Sequence, residues 1–357
     1  MALRFTYDIH RTWEENAARG PQLVETPPIV PETPMKSFLG LPVRSRLGIA
    51  AGLLLNRKWV QPYADRGFDL LTYKTVRSRA RPCYPLPNWV FVRDVGDGHG
   101  PVEVIDGSLD DPAAISSSVC FGMPSVEPAA WRDDVRDTCE SLQAGQLLIV
   151  SIVGSPGEET AAPAMLDALA DDFAQCATWA MEAGAPVVEA NLSCPNVGSA
   201  EGSLYQDPVA SRIVTQRIRE AIGATRLLLK VGSFTDDAQL DRFLRAVDGH
   251  ADGVTLVNCL RREVLRADGM PAFGEAYRYA GVLGRAIHEP SVRAVEAVRR
   301  RIDRDALALA VVAVGGASTV PDLADFFSAG ADAVLCGSSP MYLPHLAIEA
   351  KRLHPEW

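Results

Sequence analysis

The stretch LALAVVAVGGASTVPDLADFFSAGADAVLCGSS, residues 307–339, decides the fold. It begins with a near-continuous apolar run (Leu307–Val314) and turns on Gly315-Gly316. A helical pattern follows over Val320–Ala329, then a second apolar run (Ala331–Cys336) that ends on Gly337-Ser338. Unbroken apolar strands separated by a helix describe a parallel sheet buried on both faces. Six more such runs precede it: Leu47–Gly52, Phe68–Lys74, Gln146–Val153, Pro186–Asn191, Arg226–Val231 and Gly253–Asn258. Helical patterns over Ala161–Ala183, Asp207–Ile222, Asp236–Val247 and Ser291–Ile302 lie between several of them. Eight βα units predict an α/β chain closed into a (β/α)8 TIM barrel, whose core takes roughly 250 residues. An open doubly wound sheet is the competing architecture, but no GxGxxG turn follows the first strand.

The surplus length falls in two places. Residues 1–38 are polar and proline-rich (PQLVETPPIVPETPMK) and read as an extended N-terminal arm, leaving 39–357 to the barrel. Residues 76–145 are too long for a bare loop and predict an insertion over the C-terminal mouth after strand 2. The net charge is 35 − 45 = −10, so nucleic acid and anionic membranes are poor partners. No stretch reaches the ~20 consecutive apolar residues of a membrane span, and the first residues lack a signal-peptide core. The seven cysteines are spread out with no CxxC. That removes support for zinc ribbons, iron–sulfur clusters and disulfide frameworks, so no metal site is expected and a reducing cytoplasm is the default compartment.

In such a barrel the chemistry collects where strands end. The ends here are Ala50-Ala51-Gly52, Lys74-Thr75, Ser151, Asn191, Lys230, Asn258, Gly315-Gly316 and Gly337-Ser338. A lysine buried at a strand end needs an anionic or hydrogen-bonding partner, because desolvation penalises its charge. The paired glycine turns after the last two strands suit a phosphate, whose oxygens backbone N–H groups and helix starts can approach. The densest motif is Asn191-Leu192-Ser193-Cys194-Pro195-Asn196, in which two amides flank one thiol. That combination suits a planar ligand rich in amide groups, with a proton-transfer group above it. Cys139, Cys176 and Cys336 read instead as small core fillers.

NLSCPN, preceded by YKT and followed in order by LLLKV, TLVN, AGVLG (Ala280–Gly284), AVGGA and LCGSS, resembles the dihydroorotate dehydrogenase family of FMN-dependent (β/α)8 barrels. The resemblance runs from about Leu39 to Leu346 and is to the soluble class with a cysteine base. It implies FMN contacts from Ala50, Ala51, Gly52, Lys74, Thr75, Asn191, Lys230, Gly281, Gly315, Gly316, Gly337 and Ser338. Lys230 would stabilise the reduced flavin, and the last four residues would hold the phosphate. Lys74, Gly122, Met123, Asn191, Asn196, Asn258 and Cys259 would line the substrate pocket. Cys194 would be the catalytic base, with Lys74 bridging flavin and substrate, and hydride would pass to flavin N5. The N-terminal arm lacks the apolar pair of helices that quinone access would need, so a soluble electron acceptor is expected, and a homodimer is allowed.

Departures from the family cluster around the substrate. Val119-Cys120-Phe121-Gly122-Met123-Pro124-Ser125 resembles the family loop NSMGLPN, with Val119 and Ser125 where asparagines are expected. Cys259 stands where serine would follow Asn258. The expectation is a cyclic amide or ureide less polar than dihydroorotate, with Val119 and Phe121 against it; Ser117 or Ser118 supplies the missing contact if the loop alignment is shifted. A flavin-free barrel lyase or synthase for a phosphorylated substrate would use the glycine turns but leave NLSCPN unexplained. A non-catalytic flavin-binding protein would have no need of Cys194, Lys74 and Lys230.

Overall fold

The computed structural model describes residues 4–94, 100–105, 109–155, 162–193, 200–234 and 236–357. Eight parallel strands close in sequence order into a barrel: β1 (Leu47–Ile49), β2 (Leu70–Val76), β3 (Leu147–Ile152), β4 (Val187–Asn191), β5 (Arg226–Lys230), β6 (Gly253–Leu256), β7 (Ala310–Val314) and β8 (Ala333–Cys336). All eight apolar runs of the sequence are barrel strands. Each is followed by a helix, and several begin where a short polar side chain can take the free N–H groups. Asp207 Oδ1 accepts from Val209 N at 2.9 Å and Ala210 N at 3.1 Å, starting the helix Pro208–Ile222. Asp236 does the same for Asp237–Val247.

Side chains alternate between two environments, as the period of a strand requires. Val188 and Ala190 pack outward among the helices. Leu70, Ile149, Val187, Leu228, Val312 and Leu335 fill the barrel interior, with Phe38 and Val43 of the hairpin Lys36–Phe38/Leu41–Val43 packed against them. At the same end, Lys351 Nζ lies 2.6 Å from Asp69 Oδ2, and Ser45 Oγ donates to that oxygen at 2.5 Å. Both charged side chains are sealed, Lys351 at 1 % and Asp69 at 0 % exposure.

The mouth is covered by a second, five-stranded closed sheet. Three of its strands, Trp89–Asp94, Val102–Val104 and Ser116–Val119, come from the segment after β2. The other two, Leu260–Leu265 and Tyr279–Gly284, come from the segment after β6. The two segments are joined by a parallel pairing of Val264 with Val102 and an antiparallel one of Gly281 with Val119. The expected insertion after strand 2 is there, but it ends before the barrel's own helix over residues 128–141, and the cap needs a second segment, after β6, to close.

The N-terminal segment is not uniformly extended. Trp13–Arg19 is a helix with a capping box between Thr12 and Glu15. Thr6 N donates to Met341 O at 2.7 Å and Trp59 Nε1 donates to Asn16 O at 3.0 Å, tying the segment to the barrel. Tyr7 is buried, with its ring 5.8 Å from Trp59 of the barrel and 5.5 Å from Trp89 of the cap. Among the described residues, no helix is long and apolar enough to cross a membrane.

Candidate active site

Between the strand ends and the cap lies a cavity lined by both. Its floor carries two cations: Lys74 at the end of β2 is 8 % exposed and Lys230 at the end of β5 is 2 %. No ion pair among the described residues engages Lys230. A buried ammonium without a carboxylate beside it is costly unless an anionic or electron-rich ligand completes it. Thr75 also lines the cavity, and its hydroxyl lies 3.0 Å from that of Ser151.

The strand-end amides form one lattice. Asn191 Oδ1 accepts from Ser193 N at 3.1 Å and from Asn258 Nδ2 at 3.4 Å. Asn258 Nδ2 also donates to the Ser193 carbonyl, fixing the start of the NLSCPN segment against the end of β6. Asn191 and Asn258 both line the cavity. Cys194 and Asn196, the candidate base and one candidate substrate amide, lie outside the described residues.

On another side the wall is glycine. Gly315 and Gly316 have φ of +145° and +82°, where a side chain is strained. A Cβ on Gly315 would lie 2.1 Å from Ser291 Oγ, and one on Gly316 2.4 Å from the Gly284 carbonyl oxygen. Gly52 and Gly337 differ: they line the cavity and, among the described residues, a Cβ on either would meet nothing within 4 Å. Ala50, Ala51 and Ser338 complete this part of the wall. The start of the helix Val320–Ser328 is already satisfied, since Asp322 Oδ2 accepts from Ser318 N and Thr319 N, each at 2.9 Å. An anion here would therefore meet the glycine turns rather than that helix end.

The opposite wall is apolar and comes from the cap: Trp89, Val119, Phe121, Leu283, with Gly122 and Met123 at the turn. Gly122 and Met123 have φ of +73° and +52°, and a Cβ on Gly122 would strike the Tyr84 ring at 2.5 Å. Arg77 Nε donates to Met123 O at 3.1 Å, holding the turn over the floor. Cys259 lines the cavity next to Asn258. Two expectations change. Ser125 is not part of this wall: its hydroxyl accepts from Arg77 N at 3.1 Å and donates to Val126 O at 3.0 Å. Gly281 is not part of it either: it pairs with Val119 inside the cap, and its carbonyl accepts from Ser118 Oγ at 3.1 Å. Gly284, three residues on, lines the cavity instead.

Trp89, Leu283, Gly284 and Ile287 were not read as site residues. Gly284 closes the AGVLG run, so its signal was present; the others line the site only because the cap brings two distant segments together. Among the cysteines, burial pushes the Cys139 thiol up to about 11 and the Cys336 thiol up to about 12. Neither is a ready nucleophile at neutral pH, in line with their reading as fillers.

Residues 138–350 match the family model for dihydroorotate dehydrogenase. The dihydroorotate dehydrogenase of Dictyostelium discoideum is 30% identical over 364 positions, covering 96% of this chain and 95% of that protein. The chain belongs to the dihydroorotate dehydrogenase family. The protein named dihydroorotate dehydrogenase B (NAD(+)), catalytic subunit, of Desulforudis audaxviator (strain MP104C) is 27% identical over 87% of this chain and 88% of its own length. Among solved structures, DHODH of Eimeria tenella in complex with ferulenol matches with a TM-score of 0.71 over 95% of this chain and 89% of that one, at 16% identity. That last likeness concerns the fold, the (β/α)8 barrel of this dehydrogenase family.

The residues present fit a flavin that carries a phosphate. Two buried ammonium groups, the amides of Asn191 and Asn258, and glycine positions whose missing Cβ atoms leave open space supply a cationic floor, hydrogen-bonding groups and a phosphate-sized approach to main chain.

Proposed function

We propose that this dehydrogenase oxidises a CH–CH bond of dihydroorotate or of a related, less polar cyclic amide or ureide, with FMN as cofactor and Cys194 as base. The observation that carries the reading is the convergence of Lys74 and Lys230 with the Gly315-Gly316 and Gly337-Ser338 turns on one cavity. Gly315, Gly316, Gly337 and Ser338 would hold the FMN phosphate, and Lys230 would face the part of the ring that gains negative charge on reduction. FMN supplies the two-electron acceptor for the hydride that leaves the substrate. Cys194 takes the proton from the adjacent carbon, so that a carbon–carbon double bond remains. Lys74, Asn191 and Asn258 orient the amide edges of the ring, each contact surviving only if the substrate offers the complementary group. Reoxidation by a soluble acceptor belongs to the same proposal; the Desulforudis relative carries NAD(+) in its name.

Val119 and Phe121 support the substrate half of the reading, because they present hydrocarbon to the cavity where an amide would hold a polar ring. Ser118 directs its hydroxyl to Gly281 O, and neither Ser117 nor Ser118 lines the cavity to take over that role.

The test is an anaerobic screen of cyclic amides that follows bleaching of the flavin absorbance. The purified protein is expected to be yellow and to release FMN on denaturation. Cys194→Ala is expected to keep the flavin but to slow its reduction by substrate by ~10²–10⁴-fold, the contribution of a positioned base. A colourless protein that FMN cannot reconstitute would overturn the reading; reduction of Cys194→Ala at the wild-type rate would overturn the base.

A further inference from the structure

Glu189 stands in the middle of β4 and is 0 % exposed. It alternates with Val187 of the barrel interior and with Val188 and Ala190 of the outer core, so its side chain points inward. Among the described residues, neither of its carboxylate oxygens has a hydrogen-bond partner, and the same holds for the hydroxyls of Thr72 on β2 and Thr255 on β6. The register brings these three together. Ser151 pairs with Glu189, Glu189 with Leu228, and Leu228 with Gly253. Interior layers of such a barrel draw on alternate strands, which groups Thr72, Glu189, Thr255 and Leu335 in one layer. The layer beneath, with Ile149, Leu228 and Val312, is apolar. The layer above holds Ala50, Ser151, Lys230 and Val314, three of which line the cavity floor.

A carboxylate sealed at this depth needs compensation, and its unfilled bonding sites face two hydroxyls that are unfilled as well. No ion pair joins Glu189 directly to Lys230 among the described residues. We propose that the Thr72–Glu189–Thr255 layer holds ordered water, and that through it an ionised Glu189 is the counter-charge of Lys230. Glu189 is then a positioning residue that limits how strongly the cavity floor favours the reduced flavin. This inference rests on the FMN reading above. Hydroxyls on two sides of the carboxylate give a water the several partners that a buried water requires. A charge one layer below the floor acts through a medium that screens it little.

The test is the reduction potential of the bound flavin in the purified holoprotein, measured by equilibration with a reference dye at pH 7. Glu189→Gln keeps size and hydrogen-bonding capacity but removes the charge. Its reduced-to-oxidised flavin ratio at a fixed potential is expected to rise tenfold or more, an upward shift of about 30 mV or more for a two-electron couple. Thr72→Val/Thr255→Val, which withdraws the groups that hold the water and leaves the sealed carboxylate nothing to keep its charge, is expected to shift the potential in the same direction, and serves if Glu189→Gln does not fold. A yellow protein in which the variants that fold stay within threefold of the wild-type ratio overturns the inference while leaving the FMN reading intact. A colourless wild-type protein overturns both.

Discussion

The two walls of the cavity are built on different principles. The glycine wall is main chain at the ends of β1, β7 and β8, held by the barrel's own strand pairing, and its chemistry is the absence of side chains. The cap wall is side chains (Trp89, Val119, Phe121, Leu283) brought from two segments far apart in sequence. At Gly315 and Gly316 the first cannot accept a side chain without collision, and at Gly52 and Gly337 a side chain would take the cavity's own space. The second can change residue by residue while the fold stands, and it is where this chain departs from its family's pattern. A cofactor common to many substrates belongs on the first wall, and substrate choice on the second.

The sharpest way to break the comparison is to damage the barrel far from either wall. Lys351→Met leaves Asp69 charged and sealed opposite an apolar side chain. It is expected to lower stability by ~3–5 kcal/mol, the cost of removing one partner of a buried pair. Chemical denaturation would read the loss, and the flavin content of the protein that remains folded should be unchanged. On the glycine wall, Gly337→Val places a side chain in space that is open. It is expected to leave the melting temperature nearly unchanged and to weaken FMN binding roughly 100-fold, about 2.7 kcal/mol. A melting temperature that falls with retained FMN affinity would show that this glycine serves packing. On the cap wall, Val119→Asn restores one polar partner. Since Ser125 is engaged with Arg77 and Val126, only one contact is missing on this wall among the described residues, worth ~1–3 kcal/mol. Catalytic efficiency on dihydroorotate is therefore expected to rise roughly 5- to 150-fold. No gain would mean that the apolar wall does not set substrate choice. The smallest effect is expected at the N-terminal segment, where Thr12→Ala removes a helix cap for about 1 kcal/mol. Steady-state kinetics should be untouched.

The barrel was legible because each strand is buried on both faces and reads as an apolar run whatever its neighbours are. Lys74, Asn191 and Lys230 were legible for the same reason: polar residues ending such runs stand out. The cap was legible only in its first half, as the surplus of residues 76–145; Leu260–Leu265 and Tyr279–Gly284 pair with strands from that half, and no local pattern announces a pairing across that distance. Gly281 misled for a related reason. It belongs to the right motif, but its strand turns it toward Val119, and only the end of that strand, at Gly284, reaches the cavity. The short helix Trp13–Arg19 was hidden by the prolines that follow it, although Thr12 and Glu15 spell its capping box. Ser125 could be placed only once Arg77 was seen to take its hydroxyl.

The closure of the cap has a consequence for anyone who would redesign this enzyme. Its two contributing segments complete each other's edges, through Val102 with Val264 on one side and Val119 with Gly281 on the other. A transplant of either segment alone from a relative whose strands differ in length or register would leave unpaired main-chain groups over the mouth, an invitation to self-association. The specificity of this scaffold is therefore inherited as a pair of segments, and a graft that respects the ring must exchange both at once.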